Sequence, residues 1–182
     1  MLNGVRSNRR PRMTVAGIAA PEPSNEADRL AALHRLDLLD QPPLPQLEDI
    51  VDIASSMFST PIALVSLIDA ERQWFAASVG LEAPETPRCD AFCAHSILEP
   101  PVFVVPDATM DHRFAGNPLV TGAPDIRFYA GAVVRSPDGL PIGTLCVIDR
   151  FPREFSDVHR ANLRGLAGDV ERHILDRAGV VR

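Results

Sequence analysis

Apolar residues recur along this chain with two different periods, and the switches between them mark out its elements. Residues 26–39 are rich in helix formers, with Leu30, Leu33 and Leu36 three apart, which is the spacing of one helical face. Pro42, Pro43 and Pro45 end that pattern, because proline lacks the amide a helix interior needs. A second helix is predicted over 46–58, where Leu47, Ile50, Val51, Ala54 and Phe58 share a stripe. The period then drops to two. An apolar β run covers 62–69, and a polar corner, Ala70-Glu71-Arg72, leads into a second strand over 73–79. Residues 80–90 read as a Pro- and acid-rich loop, 92–98 as a short helix, 102–105 as a brief strand, and 107–125 as loop with one turn near His112.

The clearest local signal follows. Within Arg127-Phe-Tyr-Ala-Gly-Ala-Val-Val-Arg-Ser-Pro-Asp-Gly-Leu-Pro-Ile-Gly-Thr-Leu-Cys-Val-Ile-Asp149, two apolar segments flank Pro137-Asp138-Gly139. Asp-Gly between alternating apolar residues predicts a hairpin, since glycine tolerates the positive φ of a tight turn. A last helix is predicted over 156–177, with Ser156 as N-cap and Asp157 beside the positive helix end. There Leu163, Leu166, Val170 and Ile174 alternate three and four apart, as in a coiled-coil seam. Two helices, a hairpin, an irregular middle, a hairpin and a long helix predict an α+β fold with an antiparallel sheet, not a doubly wound one.

Composition narrows the function. At 182 residues and 46% apolar, the chain has enough to close one core. Its net charge of −6 argues against nucleic acid as a partner. Every basic residue is Arg, and Arg6, Arg9, Arg10 and Arg12 contribute +4, so the rest of the chain is more acidic still. Residues 1–24 read as a disordered basic tail; Arg9-Arg10 ahead of 13–20 vaguely resembles a twin-arginine export signal. No apolar stretch reaches membrane-spanning length, the longest being broken by Ser66 and Asp69. Three cysteines make no complete disulfide framework and suit a reducing, cytoplasmic setting. Residues 179–182 read as a short closing tail.

Taken with the 127–149 hairpin, the motifs Phe92-Cys-Ala-His-Ser-Ile-Leu98 and Arg113-Phe-Ala-Gly-Asn-Pro-Leu-Val-Thr-Gly122 resemble the GAF domain family over roughly 25–178. The resemblance implies a GAF-like, PAS-related fold. Its central antiparallel sheet would have five or six strands, with the terminal helices on one face. Loops and short helices would close a ligand pocket on the other. It also implies a bacterial sensory or regulatory module in signal transduction, of the two-component type. Such a module would bind an unknown small molecule, dimerise through its terminal helices, and act on a signalling partner such as a histidine kinase or cyclase. No enzymatic activity is expected on this reading, and the cofactor is left open.

Strand parity nominates the site. Thr144 and Cys146 point one way and Leu145 and Val147 the other, while Ser66 shares a face with Ile62, Leu64 and Ile68. The Thr144/Cys146 face is expected to look into the pocket, although small hydroxyls can equally bond a neighbouring backbone. Aromatics cluster in the middle section and its flanking strands, and Tyr129 needs a hydroxyl partner if buried. Arg113 or Arg127 has the planar fork to clamp a phosphate or carboxylate, the alternative being a plain solvated loop. The pocket candidates are therefore Ser66, Trp74, Cys93, His95, Phe114, Arg127, Tyr129, Thr144 and Cys146.

The chemically suggestive cluster is Cys89-Asp-Ala-Phe-Cys93-Ala-His95. As a metal site it falls short of the four ligands of structural zinc, so no metal is expected. Haem ligation by His95 or Cys93, and bilin attachment through a cysteine, are uses found among GAF domains. Redox sensing is another, and so is plain burial as small hydrophobes. Free methionine-(R)-sulfoxide reductases are catalytic GAF domains whose cysteines resemble this chain only near Cys93. Two readings stand: a non-enzymatic module sensing a small ligand or redox state, and a thiol enzyme of the reductase type using Cys93.

Overall fold

The computed structural model describes residues 17–99 and 101–177. Most of the expected basic tail and the closing tail lie outside those residues. The elements run α1 (Glu26–Arg35), α2 (Pro45–Phe58), β1 (Ile62–Ile68), β2 (Arg72–Val79), β3 (Glu85–Pro87), α3 (Phe92–Ser96), β4 (Val102–Val105), α4 (Pro118–Thr121), β5 (Phe128–Arg135), β6 (Pro141–Asp149) and α5 (Asp157–Arg177). The six strands form one sheet in the order β3-β2-β1-β6-β5-β4, with every neighbouring pair antiparallel. Gly139 makes the β5–β6 turn at φ 80°, where a side chain would be strained.

Alternation along the strands splits the interior into two cores. Ala63, Val65 and Leu67 of β1, with Leu145 and Val147 of β6, face Leu33, Ile50, Leu163 and Val170 of the long helices. Ile62, Leu64 and Ile68, with Tyr129 and Cys146, face α3 and the middle loops. Both faces of β1, β5 and β6 are thus covered, and nearly every residue on them is buried. The α+β fold with its terminal helices on one sheet face is the expected one.

Four details differ from the sequence reading. Helix α1 stops at Arg35 rather than near 39, because Asp37 turns left-handed at φ 47° and reverses the chain ahead of the prolines. Strand β3 lies within the expected 80–90 loop, pairing Thr86 with Gln73 and Glu85 with Trp74; an exposed edge strand carries no apolar alternation to announce it. Residues 17–24, expected within a disordered tail, reach the domain. The Ile18 amide donates to the Arg113 carbonyl at 2.9 Å, and His95 Nε2 lies 2.9 Å from the Ile18 carbonyl oxygen. Finally, the seam proposed for dimerisation is largely used at home. Leu163, Val170 and Ile174 are buried against the chain's own sheet, so this stripe packs within the domain.

A buried charge ties α1 to the sheet. Arg29 is 0% exposed. Its Nε and Nη2 donate to the two oxygens of Glu26, both at 2.7 Å, and its Nη1 donates to the Ile68 carbonyl at 2.6 Å. Arg88 donates to the same carboxylate at 2.5 Å. Burial opposes ionisation of Glu26, but the hydrogen bonds from Arg29 and Arg88 outweigh it and lower the carboxyl below its usual 4.5. Arg29→Ala is expected to cost about 3–5 kcal/mol in urea unfolding, the loss typical of breaking a buried pair. The Glu26 contribution is complete above pH 4.5 and is lost as pH falls. An acid-side decline in the wild type that Glu26→Gln flattens is the measurement that checks it.

Candidate functional site

On the sheet face away from the long helices lies a cavity of about 210 Å³. Alternate strand residues Ile62, Leu64, Phe75 and Ile148 form its floor, and Phe92 and Cys93 of α3 form one wall. Leu119 and Ile126 close another side, and Leu81 a third. Ala83 and Ala123, which also line it, are exposed and mark the rim. No lining side chain among the described residues is a cation. One polar handle projects from β2. Gln73 is 4% exposed; its Nε2 donates to Thr86 Oγ1 at 3.4 Å, and its Oε1 is buried without a partner. A buried acceptor left unpaired costs about 1–3 kcal/mol, which a donor on a ligand would recover.

Beneath the cavity the side chains predicted from strand parity converge. Cys93 Sγ lies 3.8 Å from Cys146 Sγ and donates to Ser66 Oγ at 3.6 Å. The Tyr129 hydroxyl donates to Cys93 Sγ at 3.3 Å. Thr144, opposite Ser66 in the sheet, keeps its hydroxyl buried without a hydrogen-bond partner. Burial disfavours the Cys93 thiolate, but hydrogen bonding from Cys146 and from the surrounding hydroxyls outweighs it, and the thiol falls from 9.0 to about 7. Burial raises Tyr129 and Cys146 well above their ordinary values, so Cys93 is the member of the group that ionises. Gly131 makes the arrangement possible. A Cβ there would lie 2.2 Å from the Tyr129 hydroxyl oxygen, so only glycine lets the tyrosine ring lie along β5 toward the sulfur.

The remaining candidates sit elsewhere. Phe114 stacks on Phe92, centroids 3.9 Å apart, and forms a second layer behind the cavity wall. His95 meets the edge of Phe114 at 4.9 Å and holds the Ile18 carbonyl, so it braces the N-terminal segment and does not line the cavity. Arg127 is no anion clamp: its Nη1 donates to the Val120 and Ile126 carbonyls, both at 3.0 Å, and fixes the loop over the cavity. Arg113 is held by Asp111 at 2.6 Å and lies over the Phe103 ring at 4.9 Å. Trp74 is placed against expectation on the helix-bearing face, with Arg72 over its ring at 5.4 Å. Strand parity in Gln73-Trp74-Phe75 separates it from both neighbours, which line the pocket and which the sequence reading did not nominate. Their face is decided by the pairing of Phe75 with Ser66, a non-local fact. Cys89 is exposed and stands apart from the other two thiols. Among the described residues no cluster of three or more His, Cys, Asp or Glu could hold a metal, and no helix is long and apolar enough to cross a membrane.

Sheet order, covered faces and cavity define a GAF domain, and the family profile described as GAF domain matches residues 42–174. The chain belongs to that family. It is 52% identical over 133 residues to the Pseudomonas aeruginosa protein named cyclic di-GMP phosphodiesterase PA2567, a match covering 73% of this chain and 23% of that relative. The chain therefore spans less than a quarter of that relative's length. Among solved structures it resembles the free methionine-R-sulfoxide reductase of Neisseria meningitidis, with TM-score 0.63 and 16% identity, covering 92% of this chain and 100% of that one. It also resembles the GAF domain of an Acinetobacter phosphoenolpyruvate-protein phosphotransferase, with TM-score 0.61 and 17% identity, covering 84% and 96%. At those identities the likeness is one of fold. The Pseudomonas relative corrects one expectation: a protein 52% identical to this chain over 133 residues is named as an enzyme, so the assignment to a chain without enzymatic activity is withdrawn.

The site makes a pH prediction. Burial lowers the His95 pKa from its ordinary 6.5, and Arg113 lowers it further, against the opposing pull of the Ile18 carbonyl, Asp111 and Glu99. The unfolded chain then binds a proton that the folded one refuses, so this contribution is complete above pH 6.5 and declines as pH falls below it. Urea midpoints at about pH 7.5 and about pH 5.5 are expected to differ more for the wild type than for His95→Gln.

Proposed function

We propose that this chain is a ligand-responsive GAF domain operating in the hydrolysis of cyclic di-GMP, the activity for which its Pseudomonas relative is named. The 52% identity to that protein carries the assignment. The cavity supports a regulatory ligand that is small, neutral and largely apolar, with one hydrogen-bond donor for Gln73 Oε1. Cyclic di-GMP is the wrong occupant for this cavity. It carries two anionic phosphodiesters, which call for cationic or charge-assisted donors, and no described lining side chain of this cavity of about 210 Å³ is a cation. On this reading cyclic di-GMP is the substrate of the phosphodiesterase and a different molecule fills the GAF cavity.

The sheet links cavity to output. Ligand contacts fall on Ile62, Leu64 and Ile148, whose strand neighbours Ala63 and Val147 pack against the helices on the opposite face. A shift in β1 or β6 therefore reaches α2 and α5 directly. The partner moved by those helices is a phosphodiesterase, in place of the histidine kinase or cyclase suggested by family resemblance alone. Three free cysteines fit a cytoplasmic site of action.

Thermal shift with neutral probes tests the ligand class. Indole and phenol are expected to raise the Tm, whereas benzoate and cyclic di-GMP leave it unchanged. Gln73→Leu is expected to weaken indole binding roughly tenfold, about one hydrogen bond's worth. Stabilisation by cyclic di-GMP but not by the neutral probes would overturn the assignment. The link to hydrolysis is read separately: loss of the coding sequence should change the cellular cyclic di-GMP level, and an unchanged level removes it.

A further inference from the structure

The thiols beneath the cavity form a set that ligand binding does not require. Cys93 and Cys146 come from distant parts of the chain, α3 and β6, and their sulfurs lie 3.8 Å apart. Both are free, whereas Cys89 is exposed and bonded only to its neighbour Asp90, at 3.8 Å. A sulfur pair buried for packing alone would be surrounded by apolar groups. Here Ser66, Tyr129 and Thr144 crowd the pair with hydroxyls, and the Thr144 hydroxyl is left without a partner. That is an expensive arrangement for a core and a favourable one for a sulfur anion. Cys93 also lines the cavity, whereas Cys146 lies below it. A molecule as small as a peroxide entering past Ala83 and Ala123 reaches Cys93 first.

We infer that Cys93 and Cys146 are a peroxide-oxidised pair, with Cys93 the attacking thiol and Cys146 the resolving one. The Cys93 thiolate attacks one oxygen of hydrogen peroxide, the O–O bond breaks, and Cys93 becomes a sulfenic acid as hydroxide leaves and takes up a proton to form water. The Cys146 sulfur then attacks the sulfenic sulfur. An S–S bond forms, the S–O bond breaks, and the second oxygen leaves as water with the Cys146 proton. Two thiols and one peroxide give one disulfide and two waters, with sulfur oxidised and the peroxide oxygens reduced. Forming the bond needs the sulfurs to close from 3.8 Å to about 2.05 Å. The closure draws α3 toward β6 and takes Cys93 from the Tyr129 and Ser66 hydroxyls. Phe92 and His95 ride on the same five-residue helix, so the change reaches both the cavity wall and the bonded Ile18 segment.

The test uses the reduced, purified chain treated with hydrogen peroxide, followed by thiol counting and peptide mapping. Of the three free thiols, two are expected to disappear, with a Cys93–Cys146 linkage in the digest and Cys89 still reactive. In Cys146→Ser the sulfenic acid has no resolving partner, and dimedone is expected to label Cys93. In Cys93→Ser, a close match in shape, Cys146 is expected to remain reduced. The Cys89→Ser chain should still form the linkage. Retention of all three thiols at peroxide levels that oxidise an unfolded control would overturn the inference. So would a disulfide through Cys89, or oxidation of Cys146 in Cys93→Ser.

Discussion

The pairing of β1 with β6, Leu64 opposite Cys146 and Ser66 opposite Thr144, is the constraint on which everything else rests. Both strands are covered on both faces, and side chains alternate with a period of two. A slip of one residue would send Ala63, Val65 and Leu67 into the cavity and Ser66 into the helix-packed core. Gly143 marks how tightly the register is held. A Cβ at that position would stand 2.0 Å from the Ser66 carbonyl oxygen, so the two backbones approach to a distance only glycine permits. One register thus positions the cavity floor, the sulfur pair and the contact with the helices together.

The two cores are built differently. The helix side is mainly aliphatic, and its alanines, Ala54, Ala63, Ala130, Ala132 and Ala167 among them, let α2 and α5 lie close to the sheet. The other side carries Phe75, Phe92, Phe103, Phe114 and Tyr129. Large planar rings on a short helix and loops pack less evenly than aliphatic side chains under long helices, and the space they leave is the cavity. Arginine holds these irregular parts in place. Arg29 donates to the Ile68 carbonyl, Arg127 to Val120 and Ile126, Arg153 to Phe58 and Ser59, and Arg164 to Val133. The planar fork can satisfy several carbonyls at once, so a chain without lysine gains braces at the loop and helix ends, where its backbone is otherwise unpaired.

What was legible in the sequence was whatever depends on local period. The strands of 62–68 and 141–149 and the helices of 45–58 and 157–177 announce themselves by spacing, and parity alone paired Thr144 with Cys146. What stayed hidden depends on pairing between distant segments. Trp74 and Phe75 are adjacent and equally aromatic, and only the partner strand decides which of them meets the cavity. Gln73 gave no signal, because a polar residue in a strand reads as solvent-facing until β3 covers it through Thr86. Arg29 is fully buried although nothing local marks it, since Glu26 and the Ile68 carbonyl meet it only after folding.

Helix α3 gathers these threads because it is too short to be held by its own hydrogen bonds. Five residues long, it is fixed by its side chains. Phe92 stacks on Phe114, Cys93 meets Cys146 and Tyr129, His95 holds Ile18, and Ser96 donates to the Gly131 carbonyl at 3.2 Å. These contacts join α3 to β5, β6, the Phe114 loop and the N-terminal segment, and none is to the long helices. An element held this way moves as a unit when any one contact changes, while the sheet beneath it stays paired. Cavity occupancy and the state of the sulfurs therefore act on the same few residues, and the doubly covered strands β1 and β6 are the route by which the opposite face responds.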